Sequence, residues 1–246
     1  MGELRIILRD RKEFCLALAS ILCLFVLCSC SNNQVNRNSQ PSTSPVAQNV
    51  EQKNPGVKCT EDSPERRGEE GCTILANRLL VGSLAKPVYW HIDRFDSLEA
   101  AKKAAGPDGV AAAAHGGVWL MTVEPQTEVH HGGRHVAWIG PLVLPVADRY
   151  SMRVQSSLLK PGSTTPAHTH PGPEVVYVVD GEQCTETPEG GQRLGAGQYY
   201  IVPDGVLHRG RVTGSDVRRL LAVNLYDSAR PVSHDPADPP SLVSCK

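Results

Sequence analysis

Surplus charge, aromatic residues, paired-cysteine motifs and long apolar runs are all scarce in this 246-residue chain. Each scarcity excludes something. With 25 Lys and Arg against 26 Asp and Glu, the chain has no basic excess for a phosphate backbone, so no nucleic-acid partner is expected. Only three Phe are present, which points to a largely aliphatic core. No C-x-x-C spacing occurs, which argues against a structural zinc site or a thioredoxin-like centre. The apolar run from Phe14 to Cys28, broken only by Ser20, is shorter than the ~20 residues a membrane-spanning helix needs. No internal repeat is visible, so a duplicated domain is not expected.

What is present begins with a leader. Arg5, Arg9, Arg11 and Lys12 precede the short apolar run, and small residues end it, so residues 1–29 read as a signal peptide. The ending Leu27-Cys28-Ser29-Cys30 resembles the lipobox of bacterial lipoproteins. That resemblance implies a lipid anchor on Cys30 and, with Ser31 next to it, an outer-membrane, periplasm-facing location in the cell envelope. Export would leave four cysteines, Cys59, Cys72, Cys184 and Cys245, an even number suited to two disulfides in an oxidising compartment. Three pairings are open. One of them joins Cys59 to Cys72 in a short loop and Cys184 to Cys245 across the C-terminal tail.

Residues 31–54 are rich in Ser, Asn, Gln and Pro and poor in apolar side chains, so residues 30–72 are expected to be a flexible tether, with folding starting near Thr73. Residues 73–148 read as an N-terminal β-α-β extension: a strand over Lys86 to Phe95, a helix over Leu98 to Ala105 capped by Ser97 and stopped by Gly106-Pro107, then a strand over Gly116 to Val123. Val110 to His115 is ambiguous, since its alanines favour helix. The extension either widens a neighbouring sheet or forms a small lid. His130, His131 and His135 lie in a glycine-bearing loop with no carboxylate at ligand spacing, and read as solvated. Val136 to Pro145 reads as another strand pair or an edge, since Pro141 and Pro145 disfavour a central position. Alternating strands follow over 149–230, and residues 231–246 read as a surface tail.

The chemistry concentrates in Gly162 to Gly181. His168 and His170, at i and i+2 of an extended segment, project to one face, and Glu174 follows a Pro-Gly-Pro corner that re-aims the backbone. A β-branched run, Val175 to Val179, leads to an Asp180-Gly181 turn. Downstream, Gly197 to His208 reads as strand, Pro-Asp-Gly turn and a histidine opening the next strand. Three imidazoles and a carboxylate suit a divalent transition metal, Fe, Mn, Ni, Cu or Zn, with coordination positions left open. Arg209 and Arg211 point away from His208 by strand parity. Of Tyr199 and Tyr200 one faces inward, and Tyr200 is a candidate to donate a proton or orient a substrate.

Together these segments resemble the cupin superfamily. The first carries G-x5-H-x-H-x3-E-x6-G at every fixed position, and the second carries G-x5-P-x-G-x2-H, with Val212 where Asn is often found. The resemblance implies an all-β fold, a small antiparallel double-stranded β-helix of the jelly-roll kind. It also implies that His168, His170, Glu174 and His208 hold one metal, and that the barrels can pair as a homodimer. By the same resemblance Glu174 is a candidate to act as ligand and base. The implied function is a metal-dependent small-molecule enzyme, dioxygenase-like or isomerase-like; the alternative is an envelope lipoprotein that binds a small ligand or metal without turnover.

Overall fold

A computed structural model describes residues 56–125 and 131–246, all within one unit, Glu51–Lys246. The leader, Cys30 and His130 lie outside the described residues. Among those described, no helix is long and apolar enough to cross a membrane.

The fold is mostly β with one short α-helix. The strands are β1 (Cys59–Thr60), β2 (Gly71–Leu79), β3 (Tyr89–Phe95), β4 (Val110–Ala114), β5 (Gly117–Glu124), β6 (Arg134–Ile139) and β7 (Tyr150–Leu159). They continue with β8 (Glu174–Asp180), β9 (Glu182–Glu186), β10 (Gly191–Gly195), β11 (Tyr199–Val202), β12 (Arg209–Val212) and β13 (Arg218–Asp227). Three sheets result: six strands in the order β1-β2-β7-β13-β8-β11, three in the order β10-β9-β12, and four in the order β4-β5-β3-β6. The first two enclose the cavity described below. The third packs on the outer face of the six-stranded sheet, so the extension does two things: β2 widens the barrel sheet and β3 to β6 cover its back.

That arrangement inverts the usual meaning of alternation. On β7, Met152 and Val154 join Trp90, Ile92, Trp119 and Met121 in the core between the two large sheets. Arg153, Gln155 and Ser157, the alternate residues, line the cavity. The polar face of β7 therefore points in and its apolar face points out, because another sheet rather than water lies outside.

Local signals explain the extension. Ser97 Oγ accepts the Ala100 N–H at 3.2 Å, and the helix α1 (Leu98–Ala104) ends before Gly106, whose φ is +61°. The alanine run at β4 becomes strand despite its helix propensity. His115 and Gly116 both adopt positive φ, 52° and 67°, and fold β4 back on β5 with Ala114 opposite Gly117. Two consecutive positive φ values match a tight primed hairpin turn, so pairing overrides propensity here.

One expectation needs correction. Ordered structure begins before Thr73, because β1 runs parallel to β2 with Cys59 opposite Cys72, and a 3-10 turn at Pro64–Arg67 intervenes. A Cys59–Cys72 disulfide ties that segment down, so residues 57–72 belong to the fold rather than to a tether. The C-terminal tail is fastened to the barrel: Cys245 is bonded to Cys184, His234 pairs with Thr169, and Val243 pairs with Thr187.

Because Cys184–Cys245 closes a loop with a sequence separation of 61, its loss releases considerable chain entropy in the unfolded state. Replacing both cysteines with serine is expected to lower stability by about 2–4 kcal/mol in urea unfolding; an unchanged midpoint at unchanged slope would show the tail to be energetically idle.

Candidate metal centre

The site is assembled at the seam of the two barrel sheets. His168 and His208 face each other in a short antiparallel bridge, exchanging N–H···O bonds of 3.0 Å in both directions. His170 follows two residues on, and the Pro171-Gly172-Pro173 corner then turns the chain into β8. Gly172 is required at that corner: a Cβ there would lie 1.9 Å from the Leu225 carbonyl oxygen, and its φ is +149°. The close approach seats the corner on β13, whose Leu225 and Asp227 N–H groups donate to the Pro173 and Pro171 carbonyls at 3.2 Å. Glu174 is thereby delivered to the start of β8 with its carboxylate inside the barrel.

One nitrogen or oxygen from each of His168, His170, Glu174 and His208 falls within 4.8 Å of all the others. Among the described residues this is the only such grouping of His, Cys, Asp or Glu. Each imidazole is oriented by a backbone carbonyl: Nδ1 of His168 by Pro166 at 2.8 Å, of His170 by Val232 at 2.6 Å, and of His208 by Val206 at 2.9 Å. A carbonyl only accepts, so each Nδ1 carries a proton and each Nε2 is the nitrogen turned inward. His208 Nε2 then meets Glu174 Oε2 at 2.9 Å, and His170 Nε2 lies 3.6 Å from Glu174 Oε1, too far for a hydrogen bond. The buried His170 Nε2 has no hydrogen-bond partner. Three inward Nε2 atoms around one carboxylate form a donor set suited to a divalent cation, which all four side chains could hold at once. The residues fit a metal.

Support for Glu174 comes from neighbouring strands. Its Oε1 accepts from Gln155 Nε2 at 3.2 Å and Asn224 Nδ2 at 3.3 Å. Burial works to raise this carboxyl, but His170 and then His208 hold it well below the usual carboxylate range. Burial opposes charge on His170 too, yet Glu174 raises it above its ordinary value. For His168, burial first and His208 second push the imidazole down to about 4.

A cavity of about 220 Å3 opens beside the cluster, lined by His168, His170, Glu174 and His208 and by Arg153 and Arg218. Arg218 is 1 % exposed and donates from Nη1 to Ser157 Oγ at 2.6 Å. Burial draws its guanidinium down to about 9, which leaves it charged at neutral pH.

The structure brings the four expected ligands together. Tyr200 does not join them: partly buried, it packs against an apolar cluster that includes Val176, Leu194 and Leu220, and it does not line the cavity. Arg209 and Arg211 both bind Glu186, away from the cavity. The histidine loop differs from the sequence reading. His131 sits between Asp93 at 3.0 Å and Glu124 at 2.8 Å, and His135 approaches Asp93 at 3.2 Å. Those carboxylates arrive by sheet pairing from β3 and β5, which sequence spacing does not display. They occupy opposite nitrogens of His131, so the ring bridges them rather than sharing a common centre with them. Sequence reasoning missed Arg153, Gln155, Asn224, Arg218 and the Val232 carbonyl. The parity of β7 and β13 was the available signal, but it reads correctly only once the outer face is known to be covered.

Comparison with known proteins follows this geometry. Residues 156–224 match the Cupin domain family, a stretch that contains all four clustered side chains. No curated protein matches the chain. Solved structures similar to it include a cupin-like protein from Thermotoga maritima, at 18 % identity over 35 % of this chain and 64 % of that one, TM-score 0.32. An oxalate oxidase in complex with the substrate analogue glycolate aligns at 22 % identity over 35 % and 45 %, TM-score 0.29. An oxalate decarboxylase variant from B. subtilis aligns at 19 % identity over 35 % and 24 %, TM-score 0.32. The chain thus spans less than two thirds of the length of each.

The downward shift of His168 has a pH consequence in the metal-free protein. The unfolded chain takes up a proton near pH 6.5 and the folded one only near 4, so stability falls as pH drops through that window. The raised His170 contributes fully throughout it. In unfolding of chelator-treated protein between pH 7 and 4.5, His168 is expected to account for a loss of up to ~3 kcal/mol at about 1.4 kcal/mol per unit; a His168→Asn variant should reduce the dependence and leave the part that His91 and His115, also lowered by burial, contribute.

Proposed function

We propose that the protein is a metal-dependent enzyme acting on a small molecule inside the barrel, with dioxygenase-like or isomerase-like chemistry. One observation carries the reading: three imidazoles, each locked by a carbonyl at Nδ1, converge with Glu174 on one point that borders a cavity. A divalent Fe, Mn, Ni, Cu or Zn ion bound there would supply a Lewis acid with coordination positions open to the cavity. The chain's own residues do the rest. Gln155 and Asn224 hold Glu174 Oε1, and Oε2, 2.9 Å from His208 Nε2, is the carboxylate atom turned toward the cluster. The barrel walls confine the ligand, and the buried His170, Glu174 and His208 sit where bulk water is displaced.

The location we propose is the bacterial cell envelope, with lipid on Cys30. The disulfides Cys59–Cys72 and Cys184–Cys245 support it, since such bonds persist in oxidising compartments. Mass spectrometry of membrane-extracted protein is expected to place a lipid on Cys30, and Cys30→Ala should release the chain to the soluble fraction.

Protein purified without chelator is expected to carry about one equivalent of transition metal, and His168→Ala with His170→Ala should abolish it without changing the β-sheet circular dichroism. The metal-loaded protein should then turn over a compound in oxygen-consumption assays on catechols, flavonols, thiols and diketones, or in isomerase and lyase assays. A loaded protein inert across all of these would instead be a binding module.

A further inference from the structure

Two guanidinium groups share the cavity with the metal cluster, and neither has an ion-pair partner among the described residues. Four arginines on barrel strands are matched: Arg209 and Arg211 to Glu186, Arg219 to Asp180 and Arg193 to Glu182. Arg218 is buried with only the Ser157 hydroxyl as acceptor, and its Nε has no partner. Arg153 also keeps a buried Nε without a partner. It lies in the register row that runs through Asn224 to Glu174, so it shares the face that carries the carboxylate ligand. Burying an uncompensated charge costs several kcal/mol, and these two are the arginines with a buried, unpartnered Nε among the described residues, both at the cavity wall.

Charge balance and size define what fills the space. Lys58 and Asp235, which also border the cavity, cancel each other across 2.7 Å. What remains is two guanidinium groups against Glu174, and a divalent ion would add two further positive charges. The volume of about 220 Å3 is enough for a short organic molecule. Guanidinium donors in a planar fork match a carboxylate bidentately.

We propose that the cavity binds a small organic acid, with a carboxylate held by Arg218, assisted by Arg153, and further oxygen donors turned toward the four-residue cluster. This names the ligand class of the site proposed above and rests on that reading only for the second contact. Neutral sugars, amines and aromatic hydrocarbons leave both guanidinium groups unmatched.

Calorimetric titration tests it with malonate and succinate against the neutral malonamide and succinamide, on metal-loaded and chelator-treated protein. At least one diacid is expected to bind one-to-one while its diamide does not. Arg218→Gln should weaken that diacid by roughly 10- to 100-fold, the loss typical of a charge-assisted hydrogen bond, with metal content preserved. Arg218→Lys should recover part of the loss. Should Arg218→Gln fail to fold, Arg153→Gln is expected to show a smaller weakening, and the diacid–diamide comparison needs no variant. Equal binding of diacid and diamide, or a folded Arg218→Gln protein with unchanged diacid affinity, overturns the proposal. Diacid binding by a protein that takes up no metal would leave the anion site standing and remove the metal centre.

Discussion

The arrangement depends on three backbone carbonyls. Each commits one nitrogen of an imidazole, at Pro166, Val206 and Val232, so that the other nitrogen of each ring is aimed at one point. Without those bonds the rings are free to flip, to change tautomer, or to donate to Glu174 and collapse the site into an internal salt-bridge network. Two of the carbonyls lie two residues from the histidine they hold, so extended backbone provides them almost automatically. The third, at Val232, comes from beyond β13, and its position depends on how the tail is fastened.

The remaining architecture serves that geometry. The His168–His208 bridge brings the two barrel sheets together, and Gly172 permits the close approach that sets Glu174 at the head of β8. Behind β7, β8 and β13, the four-stranded sheet supplies Trp90, Ile92 and Trp119 as an apolar backing. With apolar surface satisfied on the outside, the strands are free to carry arginine, glutamine, serine and asparagine on the inside. Burial of ~25 cal/mol per Å2 across that outer interface offsets the cost of a polar interior.

The four clustered side chains were legible in the sequence because their spacing is local: an H-x-H pair, a corner and a strand, then a second turn ending in a histidine. The helix capped by Ser97 was legible for the same reason. Features made by distant pairing were not. The alanine run at β4 has no strand propensity of its own and is recruited by a turn with two positive φ values. His131 looked solvated because Asp93 and Glu124 reach it through strand pairing. Arg153 and Gln155 were visible only as the polar half of an alternating strand, because nothing in their own segment reveals that a second sheet covers the opposite side. Cysteine counting left three pairings open, and only packing of the tail against β9 selects Cys184–Cys245.

The Val232 carbonyl carries a lesson about where this domain ends. The stretch that matches the Cupin domain family stops at residue 224, yet the partner that orients His170 is eight residues further on, and Lys58 and Asp235, from before and after that stretch, border the same cavity. The functional unit is therefore wider than the recognisable one. An excised 156–224 fragment would keep every ligand and lose part of what tells them which way to face.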